Sequence, residues 1–415
     1  MSYWTFLSSY RTLLAFGLVT ALSSSFGQTF FISLFLPFFL QDFGISKGDF
    51  GLLYGLCTLA SAACLPYLGG RIDALDLRRY TAWTLGGMAT AAFVVGFSPH
   101  VALLAAGIVG LRLTGQGLMG HISQTVMARE FTASRGKALG FAALGYPLGE
   151  AVLPLLCAVA LQFLPWKAVW FAVGIGAVVV ILPLALGLLA RPPARTEASL
   201  DRETTGAGIM AADPGRAFLR DARLYLALPV LMTPPALMTV LFLYQVPLAE
   251  FKGWAPEWMA AAFAAFAAAR ALTTLAVGPL IDRFSAAALL PVVTLPISLS
   301  ALLLLNAQTP WVVFPYLMLV GLTAGSCSST GSALWAELFG THNLGKVRGV
   351  SSAMAIFSAA SGPAIVGLLF RAGFGFEHVL SVIAVVPLIT SCSGLTLALR
   401  QGALPGAGRL ARAFR

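Results

Sequence analysis

Apolar residues in this chain come in runs too long for the helices of a soluble domain. No Asp, Glu, Lys or Arg interrupts 12–41, 50–70, 80–111, 168–190, 224–249, 284–336, 349–370 or 378–399. One bilayer crossing takes about 20 mostly apolar residues. The run 284–336 is long enough for two, and a turn-forming sequence, Asn306-Ala307-Gln308-Thr309-Pro310, divides it. Shorter runs broken by a single charge supply the rest. The pattern predicts twelve spans, at 12–40, 48–68, 80–98, 100–127, 138–161, 167–190, 224–249, 258–280, 286–306, 311–337, 349–371 and 377–399. The most polar internal stretch, 191–223, opens with Arg191-Pro192-Pro193 and parts the first six spans from the last six. The expected fold is an all-α polytopic membrane protein. It has a six-helix bundle over 1–190, a cytoplasmic linker over 191–223, a second six-helix bundle over 224–400 and a basic cytoplasmic tail over 401–415.

Composition excludes other classes. Of 415 residues, 58% are hydrophobic and only 10% are charged, against about 25% charged in a typical soluble domain. So little charge cannot cover a water-facing surface, which excludes an ordinary soluble enzyme, and so apolar a chain is not disordered. The net charge of +10 suggests nucleic acid only until the basic residues are placed. With both termini cytoplasmic, 20 of the 26 lie on the inside. Four lie outside, at Lys47, Lys167, Lys252 and Arg371, and Arg112 and Arg270 fall within spans. That asymmetry is the positive-inside pattern and needs no nucleic acid partner. The five cysteines sit in apolar stretches without a C-x-x-C or a His at metal spacing, so neither a metal site nor a cofactor is expected.

The two halves repeat one another. Gly69-Gly70-Arg71-Ile72-Asp73 follows the second span, and Gly278-Pro279-Leu280-Ile281-Asp282 follows the eighth, 209 residues later. Met127-Ala128-Arg129-Glu130-Phe131 ends the fourth, and Trp335-Ala336-Glu337-Leu338-Phe339 ends the tenth. Gly136-Lys137 and Gly345-Lys346 precede the fifth and eleventh. Repeated six-span halves characterise secondary transporters, with the substrate site at the repeat interface.

With these features the sequence resembles a major facilitator superfamily transporter. The most specific element is the loop between spans two and three, where Gly69, Asp73, Arg78 and Arg79 match the superfamily's G-x-x-x-D pattern with its basic cluster. Ala74 and Asp76 depart from that pattern, and the second copy keeps Gly278, Asp282 and Arg283 without the later basic cluster. The resemblance implies twelve helices in two pseudo-symmetric six-helix bundles, alternating access, and a gating role for these residues. Asp73 is expected against a helix N-terminus in the other half, near Gly345 to Gly349. Arg78 or Arg79 is expected to pair with Glu130, and Arg283 with Glu337. Gly145, Pro147 and Gly149 loosely resemble the glycine-proline motif of span five.

Charges deep in a span mark function by default. Arg112, in span four, begins Arg112-Leu113-Thr114-Gly115-Gln116-Gly117 and is similar to the superfamily's span-four motif. On an α-helix Gln116 and Ser123 share its face, whereas His121 lies opposite. Arg270, in span eight, is suited to a carboxylate substrate or an acidic partner. Glu150, in span five, is either a proton site or an ion-pair partner of Arg112. By the resemblance, spans one, four, seven and ten line the central cavity. They contribute Gln28 and Thr29, Thr233 and Tyr244, and the stripe Ser328, Ser332 and Trp335. Thr233 and Tyr244 share a face unless Pro234 and Pro235 break the helix.

The function expected is secondary active transport of a small organic solute, leaning to an organic anion, coupled to protons. The alternative is a proton-driven exporter of drugs or other amphipathic compounds. No H-E-x-x-H, in-membrane acidic pair or Walker sequence points to an enzyme. The partners expected are substrate, protons and lipid. The arginine- and alanine-rich composition suggests a bacterial protein, monomeric and multi-pass in the inner membrane.

Overall fold

The computed structural model describes residues 3–131, 134–190, 220–340 and 344–403, and its regular elements are all helices. Most of the expected linker (191–219) and of the basic tail (404–415) lies outside the described residues. Among the described residues nine helices are long and apolar enough to cross a membrane. They are Lys47–Asp73, Val101–Glu130, Arg135–Phe163, Trp166–Ala190, Ala222–Leu243, Pro256–Phe284, Pro310–Phe339, Val347–Arg371 and Phe376–Arg400. They carry the second, fourth to eighth and tenth to twelfth expected spans. Large apolar side chains such as Trp83, Phe163, Leu275 and Phe357 are exposed on the outside, as a lipid-facing surface requires.

Two expected spans take another form. The first is two helical stretches, Arg11–Gly27 and Thr29–Phe43, bent by 46° at Gln28. Gln28 is extended (φ −80, ψ 152), so the helix is interrupted there. The third, Leu77–Phe97, is a single helix as expected, with Arg78 and Arg79 in its first turn. The ninth is two pieces, Ala286–Leu289 and Leu295–Asn306, separated at Pro291, where proline removes a helical donor. Conversely, Pro234 and Pro235 do not end the seventh span, and Ala222–Leu243 runs through both. Ser358 Oγ of span eleven donates to the Met232 carbonyl, in the turn before the prolines, at 2.6 Å.

The chain forms two compact units, residues 1–44 with 56–212, and residues 45–55 with 213–415. Within the first, span five lies on span one at Gly145, where a Cβ would come 2.4 Å from the Leu18 carbonyl oxygen. Within the second, span eleven lies on span seven in the same way, at Gly362, 2.4 Å from the Ala236 carbonyl. Small residues let the backbones approach this closely. The stretch 45–55 joins the second unit through Gly51, where a Cβ would meet the Tyr244 hydroxyl and the Pro363 carbonyl.

Candidate functional site

In the first unit, spans one and four both depart from α-helix where they cross. Span one breaks at Gln28, and span four is a π-helix over Arg112–Met119. Their backbones touch. A Cβ on Gly27 would lie 2.2 Å from the Leu111 carbonyl oxygen, and one on Gly115 would lie 2.8 Å from the Gly27 nitrogen. Irregular backbone at membrane depth is tolerated where protein or a water-filled cavity surrounds it, and π-bulges gather at functional sites.

Arg112 opens this π segment and is 4% exposed. Its Nη1 donates to Thr29 Oγ1 at 3.1 Å, one residue past the break. Ser123 also reaches span one, donating to the Gly17 carbonyl at 2.7 Å. Gln28 and Gln116 flank the crossing, both half-buried. His121 is turned to span two, within 3.7 Å of the Cβ position of Gly69. Glu150 is buried in span five, in the same unit.

Below this crossing, Asp73 forms an ion pair with Arg129 of span four, so the carboxylate has a partner in its own unit. Both side chains are substantially exposed. Arg78 and Arg79 are exposed, and among the described residues neither pairs with Glu130. Asp76 caps the third span by accepting from the Arg79 backbone N–H at 3.1 Å.

The second copy of this loop is arranged differently. Glu337 accepts from the backbone N–H groups of Ala286 and Ala287, at 2.8 and 3.3 Å. Arg283 lies over the ring of Phe284, not against Glu337. The unsatisfied donors at the start of the ninth span offer the carboxylate fixed hydrogen bonds that an exposed guanidinium does not. Asp282 is exposed, and Gly278 has open space around it.

The second unit holds a cavity of about 280 Å³ between spans seven, ten and eleven. Ser328, Ser332 and Trp335 line it from span ten, as one helical stripe. Span eleven adds Arg348, Ser351, Ser352 and Ala355, and span seven adds Leu231 and Met232. The last two groups escaped the sequence reading. Arg348 falls beside Lys346 and was counted with the loop charges. The signal was its spacing, since 348, 351, 352 and 355 share one helical face.

Other expected residues lie away from this cavity. Thr233 donates to the Pro229 carbonyl and meets Thr390 of span twelve at 3.2 Å. Tyr244 donates to the Lys47 carbonyl at 3.2 Å. Arg270 is half-buried on span eight, where its carbonyl meets Gly325 of span ten. At the start of span seven, Asp221 caps the helix, accepting from the Arg223 backbone N–H at 2.8 Å. The side-chain hydrogen bonds from Arg223 hold the Asp221 carboxyl below its usual range. No group of His, Cys, Asp and Glu suited to a metal occurs among the described residues.

Comparisons agree with this architecture. The family profile described as Major Facilitator Superfamily matches residues 17–305 and 237–402. A comparison with curated proteins finds no match. Among solved structures, the fold is similar to a bacterial homolog of the human lysosomal transporter Spinster, in an inward-facing and unoccupied conformation. The TM-score is 0.69 at 15% identity, covering 98% of each chain. The same homolog in an inward-facing and occupied conformation gives 0.67 at 15% identity, covering 96% of this chain and 97% of that one.

Proposed function

The chain belongs to the Major Facilitator Superfamily and is a multi-pass membrane transporter working by alternating access, and on that premise we propose that it carries a small organic anion in exchange for, or together with, protons. Arg112 carries this reading. It is a cation buried where two helices leave α geometry, and discontinuous helices near the bilayer midplane are where transporters of this kind bind substrates and ions. A guanidinium there offers a fork of donors to a carboxylate. Glu150, also buried in the first unit, is the proton site in this reading.

Asp73 is a gating residue in this reading, as the family's G-x-x-x-D loop implies, and Arg129 of its own unit is its partner in the structure. An exposed ion pair contributes little to stability, so the role is sought in transport and not in unfolding. We further propose that both termini are cytoplasmic, that the bundles divide at 191–223, and that the protein works as a monomer in a bacterial inner membrane.

The test is uptake of a panel of labelled carboxylates into proteoliposomes under pH gradients of both signs. A proton symporter is accelerated when the side from which substrate enters is acidic. An antiporter responds with the opposite sign, as would an exporter of amphipathic compounds. Arg112→Gln and Glu150→Gln are expected to abolish the gradient-driven component. Carboxylate flux that neither variant alters would overturn these assignments.

A further inference from the structure

Arg348 lines the 280 Å³ cavity of the second unit together with four serines, Ser328, Ser332, Ser351 and Ser352. Among the described residues it forms no ion pair. No Asp or Glu lines the cavity, so nothing in the wall balances its charge. The hydroxyls of Ser328, Ser332 and Ser352 are engaged by no other side chain or carbonyl among the described residues. Ser351 is more specific. Its oxygen accepts the Trp335 indole N–H at 3.2 Å, which leaves its own proton to donate. The polar part of the cavity is therefore one exposed arginine with serine hydroxyls around it, at an open mouth where Ser328, Ser332 and Ser352 are exposed as well. The opposite wall is apolar, made by Leu231, Met232 and the Trp335 ring.

The geometry points to a binding site for an organic monoanion, with an oxyanion head on Arg348 and the serines and a short apolar body against Leu231, Met232 and Trp335. It rests on the anion-carrier reading above and adds to it the residues that hold the anion in the second unit. One uncompensated cation matches one negative charge. A second carboxylate would lie against the apolar wall of Leu231, Met232 and Trp335 with no second cation to meet it. Arg348 is then a substrate residue, where its position at the start of span eleven suggests a charge that only fixes topology.

The test is a thermal-shift titration of the purified full-length protein with hexanoate, adipate and hexanamide. Hexanoate is expected to stabilise the wild type in a saturable way, because a ligand bound only to the native state raises its stability with concentration. Adipate and hexanamide are expected to bind at least tenfold more weakly. Arg348→Gln is expected to weaken hexanoate at least tenfold and to leave hexanamide unchanged. Ser332→Asp places a carboxylate on the cavity face beside the arginine and is expected to do the same, which answers the question should Arg348→Gln fail to fold. Hexanoate binding of wild-type strength in both variants overturns the site while the anion-carrier reading stands. A wild type that binds none of the anions overturns both.

Discussion

Replacing Gly27 with alanine tests whether backbone contact holds the crossing of spans one and four. The added Cβ would lie 2.2 Å from the Leu111 carbonyl oxygen and 2.5 Å from the Gln116 nitrogen, where ordinary contact begins at 3.4 Å. Both neighbours are main-chain atoms, so no rotamer change relieves the clash. The helices must part by about 1 Å, which is overpacking at a cost of about 1–3 kcal/mol. The Arg112–Thr29 hydrogen bond, already 3.1 Å, does not survive that separation. Losing a hydrogen bond to a charged group costs about 1.5–3 kcal/mol more. Alanine recovers at most about 1 kcal/mol of helix propensity, and less at Gly27, which lies in a 3₁₀ turn. The net expectation is a loss of roughly 2–5 kcal/mol, read as a lower thermal midpoint of the purified protein, with weaker substrate binding. Gly176→Ala is the control, because a Cβ there meets nothing within 4 Å. It should leave the midpoint unchanged or slightly raised. Gly27→Ala with wild-type stability would refute the argument.

Three further outcomes follow from the same geometry. Thr29→Val leaves the Arg112 guanidinium short of one acceptor and should cost about 1–3 kcal/mol in thermal unfolding, with Thr29→Ser restoring most of it. Asp73→Asn should change stability by less than about 1 kcal/mol, since the pair with Arg129 is exposed. It should nevertheless slow uptake at least about fivefold, the lower end of a typical coupling between states, and unchanged uptake at normal expression counts against the gating role. Asp221 gives a pH dependence of known sign. Its folded pKa is depressed, so its contribution is complete above the unfolded value of about 3.9 and fades as pH falls through the folded one. Asp221→Asn keeps a capping side chain but removes the charge, so the acid limb of its stability–pH curve should be flatter than that of the wild type.

Much of the scaffold was legible because lipid imposes one simple rule on every crossing. Charge-free runs gave the helices, and the recurring Gly–Asp loops gave the two-fold plan. What stayed hidden depended on contacts distant in sequence. The break at Gln28 lies inside a run with no charge and no proline, 12–35, and is tied to Gly27 meeting Gly115 eighty-eight residues later. Pro234 and Pro235 look like breakers locally, yet the helix Ala222–Leu243 runs through both. Of the candidate residues, Ser328, Ser332 and Trp335 lie together on a cavity, as one helical stripe must. Thr233 and Tyr244 turn to other partners, because a hydroxyl in a membrane bundle takes the nearest carbonyl on offer. That Arg348 lines the same cavity could not be read from its position at a span end, which says where a charge sits along the membrane normal and nothing about which way it faces.

The glycine crossings also bear on how such a protein can descend from a duplicated half. At the repeat offset, Arg112 corresponds to Gly321, Glu150 to Ala359 and Arg270 to Ser61. Gly321 lies where span eight presses on span ten, and a Cβ there would come 2.5 Å from the Phe266 carbonyl oxygen. An arginine at that position and this helix contact exclude one another. A symmetric dimer of identical halves would have to give up either the buried cation or the close packing at both copies. Joining the halves in one chain removes that choice, because each copy then diverges at the same register without its twin following. The want of an arginine at the Gly321 position is thus a steric matter, and grafting Arg112 onto the second half should cost that half its fold before it adds any chemistry.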